Sequence, residues 1–153
     1  MTIRDDYTVA QKKYNLPSFN DIDKEFEIAA IETPGNILRE VRHRVQDRLE
    51  FGVSILDNVC QPDPNNMRSM MESSFFNDSE KTKAFALSQK IATLWRSLTE
   101  AELINDEKSD AEFIKLVFKE WQAMKAPLLE FVRKMRDSWK KTQHTREELG
   151  YLG

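Results

Sequence analysis

Residues 109–141 read SDAEFIKLVFKEWQAMKAPLLEFVRKMRDSWKK, and this stretch decides the fold class. Ile114, Val117, Phe118, Trp121, Met124, Leu128, Val132, Met135 and Trp139 recur mostly in steps of three and four. That spacing predicts one long amphipathic helix. Ser109 with Glu112 three residues on has the spacing of a capping box, which places the helix start near 110. Pro127 removes the amide that would bond to the Ala123 carbonyl, so a kink is expected there. The stretch closes in cations, which suit the negative end of a helix dipole.

The same periodicity extends outward through the chain. Leu38, Val41, Val45, Leu49, Gly52, Leu56 and Val59 predict a helix over 36–60, entered through Pro34 or Asn36. Gly52 within that stripe suggests a close helix crossing. Ala84, Leu87, Ile91, Leu94, Trp95 and Leu98 predict a helix over 80–104. A second set on it, Phe85, Ala92 and Leu103, widens the apolar arc, so this helix is expected to be the most buried. Ile22, Phe26, Ala29 and Ala30 predict a shorter helix over 20–32. A brief one over 67–75 follows the Pro62-Asp63-Pro64 stop, and Met70, Met71, Phe75 and Phe76 are expected to plug one end of the bundle.

The predicted fold is therefore all-α: a single-domain, four-helix-like bundle over 18–141, with three long helices in up-down-up order. Residues 1–17 form a strap or arm, with Asp6 capping a short helix that aligns Tyr7, Ala10 and Tyr14. Residues 142–153 form a tail that ends in Leu149, Tyr151 and Leu152, a candidate docking element for a partner or a second copy.

Composition narrows the function. Four glycines and no Asn-Gly or Asp-Gly pair leave little material for hairpins. A net charge of −3 provides no global field for nucleic acid. Cys60 is the sole cysteine, which excludes an intrachain disulfide and a thiolate-rich metal site. The first residues lack an apolar leader and no run approaches a membrane span, so a cytoplasmic protein is expected by default. Glu40 and His43 match the Glu-x-x-His spacing of helical di-metal proteins. They point away from the stripe, however, and His144 has no matching glutamate. No cofactor or metal is expected, and no catalytic residue is assigned.

Two polar clusters remain. Arg39, Arg42, His43 and Arg48, with Arg44 between them, form a candidate anion contact. Arg39, Arg42 and His43 share a polar face, and pairing with carboxylates on neighbouring helices is the competing use of these arginines. Arg133, Lys134, Arg136, Lys140, Lys141 and Arg146 make the end of the last helix basic, a candidate contact for a partner or for nucleic acid. Trp139 belongs to the packing stripe there before it is a stacking platform. The balance favours a small soluble interaction or regulatory protein acting through a protein partner or a homo-oligomer. The alternatives are an RNA- or ribosome-associated factor using the basic end, and an all-helical enzyme or binder of an anionic ligand using the arginines.

Overall fold

In the computed structural model, residues 2–32 and 35–142 are described; all of their regular structure is helical. The helices are α1 (Ile3–Tyr14), α2 (Phe19–Phe26), α3 (Ile37–Cys60), α4 (Met67–Ser74), α5 (Asp78–Ile104) and α6 (Glu107–Lys141), with a 3-10 turn at Ile28–Ala30. The all-α helical bundle expected from periodicity is the observed class. Two compact units divide the chain. One comprises Met1–Glu50 with Ala92–Ala123, the other Phe51–Ile91 with Met124–Gly153. Helices α3, α5 and α6 each contribute one part to each unit.

Several helix ends differ from the periodicity reading, each for a local reason. α1 starts at Ile3 because Thr2, not Asp6, caps it: the Thr2 hydroxyl accepts from the Asp5 amide, and the Asp5 carboxylate accepts from the Thr2 amide. α2 stops at Phe26, not 32. Glu27 adopts φ 56 there, and the Asp23 carboxylate accepts from the Ala29 amide at 2.7 Å. A left-handed glutamate costs on the order of 1 kcal/mol, and burial of Ile28 and Ile31 beyond the break offsets it. α5 ends at Ile104, where Asn105 turns left-handed at φ 57, and α6 starts three residues early because Asp106 accepts from the Ser109 amide at 2.7 Å. The expected Ser109–Glu112 box is not used. α6 then continues through Pro127 to Lys141 as one helix.

In the first unit, α1, α2, the start of α3, the end of α5 and the start of α6 enclose Tyr7, Ile22, Phe26, Leu38, Val41, Val45, Leu49, Leu94, Leu98, Ile114, Val117 and Trp121. Tyr7 is fully buried, its ring edge-on to Phe19 at 5.9 Å and its hydroxyl donating to the Pro17 carbonyl at 2.7 Å. Burial, with the Asp21 carboxylate adding to it, holds this phenol well above its ordinary value of 10.0. The folded chain therefore keeps a proton that the unfolded chain releases near pH 10. The stability that depends on it is present below that pH and is lost as pH rises beyond it. Tyr7→Phe is expected to cost about 1 kcal/mol at neutral pH through the lost hydrogen bond, yet to unfold less steeply above pH 10. Alkaline titration of helicity checks this, and equal alkaline slopes would refute it.

In the second unit, Leu56, Val59, Met71, Phe76, Ala84, Leu87, Ile91, Met124, Leu128, Phe131 and Met135 are buried. Past Pro127 the buried face of α6 runs Leu128, Phe131, Met135, and Val132 lies outside. Phe131 and Val132 are adjacent apolar residues, so spacing alone could not choose between them. α4 is held by polar stitches as much as by its apolar side chains. The Ser69 hydroxyl donates to Asn58 Oδ1 at 3.0 Å and accepts from the Asp63 amide, while Ser73 donates to the Val59 carbonyl at 2.9 Å. Glu72 accepts from Asn58 Nδ2 at 2.9 Å and from Trp139 Nε1 at 3.0 Å. Of the expected methionine plug, Met71 is buried and Met70 is exposed.

α5 is buried along one face, formed by Ala84, Leu87, Ile91, Leu94, Leu98 and Ala101. The second set expected to pack is outside: Phe85 and Ala92 are exposed, and Leu103 is 82% exposed. An apolar arc shows which residues could be covered, and exposed apolar side chains are common enough that nothing forces a neighbour over them.

Candidate functional site

The arginines of α3 diverge. Arg42, placed by periodicity on a polar face with Arg39 and His43, is 3% exposed and forms an ion pair with the equally buried Asp110 of α6. Its Nε has no hydrogen-bond partner. Burial pushes the Asp110 carboxyl up from its usual range, and the Arg42 guanidinium opposes that rise. Arg39 donates to Asn105 Oδ1 at 3.2 Å, Arg44 donates to the Ala30 carbonyl at 3.1 Å, and Arg48 lies 3.6 Å from the Glu27 carboxylate. His43 Nδ1 sits 3.8 Å from Glu40, both at the surface. The cluster is thus taken up one residue at a time by groups of the chain itself. At Arg42, the position best shielded from water, a protein carboxylate stands where an anionic ligand would have to bind.

Ordered polar groups elsewhere in this unit serve packing. Trp121 Nε1 donates to the buried Glu25 carboxylate at 3.2 Å, and its ring lies against Phe26 at 6.4 Å. Lys13 approaches Glu107 at 3.6 Å. Among the described residues no three His, Cys, Asp or Glu side chains converge to hold a metal ion, and no helix is long and apolar enough to cross a membrane.

The basic end of α6 is also partly neutralised. Lys134 donates to both Glu80 oxygens at 2.6 Å and lies over the Phe76 ring, and this holds the Glu80 carboxyl below its usual range. Arg136 donates to the neighbouring Asp137 at 3.0 Å. Arg133, Lys140 and Lys141 remain exposed. Arg136 and Lys140 share the outward face of the helix with Arg133 and the exposed Leu129 and Val132. The described residues of this unit hold ten Lys and Arg against seven Asp and Glu. In the other unit the balance is twelve against seventeen. An overall charge of −3 therefore hides a basic half. Arg146, Leu149, Tyr151 and Leu152 lie outside the described residues.

The concave feature that sequence reasoning did not anticipate lies within the first unit, where α5 ends and α6 begins. Ser97, Glu100, Ala101, Ile104, Ser109, Glu112, Phe113 and Leu116 line an open cleft of ≈ 210 Å³. Ile104 is 51% exposed and Leu116 42%, and Leu103 lies one residue before Ile104. The early start of α6 at Glu107, set by the Asp106 cap, leaves two residues between the helices. That short turn holds the end of α5 against the start of α6, so that Ile104, Phe113 and Leu116 line one concavity. The charged residues of its lining are both carboxylates. From 100 to 112 the chain holds Glu100, Glu102, Asp106, Glu107, Asp110 and Glu112 against Lys108 alone. The sequence signal was present in the adjacent Leu103 and Ile104 at a turn, but Leu103 was assigned to a buried arc.

Compared with known protein families, curated proteins and solved structures, the chain matches none.

Proposed function

We propose that this chain works by binding a protein partner, not by turning over a substrate, and that the α5–α6 cleft is where the partner docks. The observation that supports this reading is the exposure of Ile104 and Leu116 in one concavity that Phe113 also lines. Apolar residues scattered singly over a surface need no explanation. Several grouped about a groove with a polar rim are characteristic of a protein interaction site. The rim here is Ser97, Glu100, Ser109 and Glu112.

The test is site-specific photo-crosslinking in the native host. A photoreactive residue at Leu103 is expected to yield a discrete crosslinked species that disappears when Ile104→Asp is added. The same residue placed at Val9, a lone exposed apolar position on α1, is expected to yield none. Identical smears at both positions would count against docking at the cleft.

A further inference from the structure

We infer that the occupant of the α5–α6 cleft is a second copy of this chain, presenting the outward basic face of α6 between Leu129 and Lys140. The inference rests on the docking reading above and names its partner.

Complementarity between two surfaces of the chain carries it. The cleft offers Ile104, Phe113 and Leu116 within a rim charged only by Glu100 and Glu112. The outward face of α6 in the second unit offers the reverse: exposed Leu129 and Val132 flanked by Arg133, Arg136 and Lys140. Steps of three, four, seven and eleven residues from Leu129 reach Val132, Arg133, Arg136 and Lys140, so all five share one stripe ~16 Å long at 1.5 Å per residue. The cleft is built from two eight-residue stretches, 97–104 and 109–116, each ~10 Å of helix, so about two turns of that stripe would engage it. The Arg136–Asp137 pair is formed by adjacent exposed side chains and is weak enough to exchange for another carboxylate.

Cleft and stripe are different surfaces, so the contact is heterologous. Once two copies have met, one keeps an unused stripe and the other an unused cleft, and assembly proceeds head to tail, as a ring if the rotation closes and as an open chain if it does not. The acidic excess of one unit and the basic excess of the other align such an encounter and make it sensitive to salt.

Sedimentation of the full chain tests this. At ~50 mM salt the weight-average mass is expected to exceed that of the monomer and to rise with concentration. At ~1 M salt, where screening acts within ~3 Å, it is expected to fall back. Ile104→Asp should weaken association tenfold or more with helicity unchanged, and Leu116→Asp provides a second cleft variant if the first misfolds. The decisive arm exchanges the charges. A Glu100→Lys, Glu112→Lys variant and an Arg133→Glu, Arg136→Glu variant should each be monomeric alone and should associate when mixed. A wild-type monomer at ~200 µM and low salt, association indifferent to salt, or a mixture that stays monomeric would each overturn the inference. So would a monomeric chain that retains homopolymeric RNA and loses it on Arg133→Glu, Arg136→Glu, which would assign the basic stripe to nucleic acid. If self-association is absent while the Leu103 crosslink to another protein persists, only the choice of occupant fails. If both are absent, the docking reading fails with it.

Discussion

Arg42→Ala is expected to destabilise the fold by about 3–5 kcal/mol, because it leaves the Asp110 carboxylate buried with its cation removed. Both side chains are nearly inaccessible to water in the folded chain. The pair itself need not stabilise: desolvating two charges costs several kcal/mol per ion, and here the compensation is incomplete because Arg42 Nε has no partner. Replacing both residues, Arg42→Met with Asp110→Leu, is therefore expected to be near neutral. The gap between single and double variants, read as urea midpoints followed by helicity, isolates the cost of an orphaned charge. A single-variant loss below about 1 kcal/mol, the scale of an exposed pair, would show that the pair is hydrated in solution.

The Arg42→Ala penalty should also depend on pH. Burial raises the Asp110 carboxyl, and the Arg42 guanidinium is the main group holding it down. With Arg42 gone, the folded value rises further above the unfolded one. The folded variant then keeps a proton that its unfolded chain releases, so its stability falls as pH climbs past the ordinary carboxylate range. The penalty should be smaller near pH 4 than at pH 7. A penalty that grows on acidification would contradict burial as the cause.

Trp121→Ala is the second large effect, at about 3–5 kcal/mol. Trp121 is buried in the first unit against Phe26, with its indole N–H on Glu25. Two contributions are removed together, ring packing and one hydrogen bond to a buried carboxylate. Trp121→Phe separates them, since it keeps most of the ring and leaves that Glu25 oxygen without the indole. It should cost about 1–3 kcal/mol, the scale of a lost hydrogen bond to a charged acceptor. Equal costs for the two variants would mean that the hydrogen bond, not the ring, dominates at this position.

Neither site was visible in full from the chain alone, and the reasons differ. Trp121 was assigned to the apolar stripe, and that assignment required only local spacing. Its link to Glu25 spans 96 positions, and Glu25 reads in sequence as one carboxylate on an acidic helix face. Periodicity puts Arg42 on a polar face with Arg39 and His43. Whether a helix face is wet depends on what packs over it, and Asp110 arrives from 68 positions away. The basic end of α6 was overcounted for a related reason, because Lys134 meets Glu80 from 54 positions away.

What the amino-acid order determined by itself was the element list and its class. Apolar residues at steps of three and four, few glycines and clear Pro-rich stops leave helices as the economical solution, and six α-helices form among the described residues. Local polar chemistry was partly legible too. Asn36, one of the two expected entry residues, caps α3, whereas at α6 the Asp106 carboxylate takes the Ser109 amide, so the helix begins before Ser109 and the Ser109–Glu112 box does not form. Tertiary structure alone decided which apolar faces are covered. It set Phe131 inside and Val132 outside, buried Arg42, and left Leu103 in water. It also set Ile104 beside Leu116 across the turn. Periodicity states which residues share a face. Only a neighbouring helix, brought there by the whole chain, decides whether that face is interior, and the α5–α6 cleft on which the proposed function depends is a consequence of that second decision.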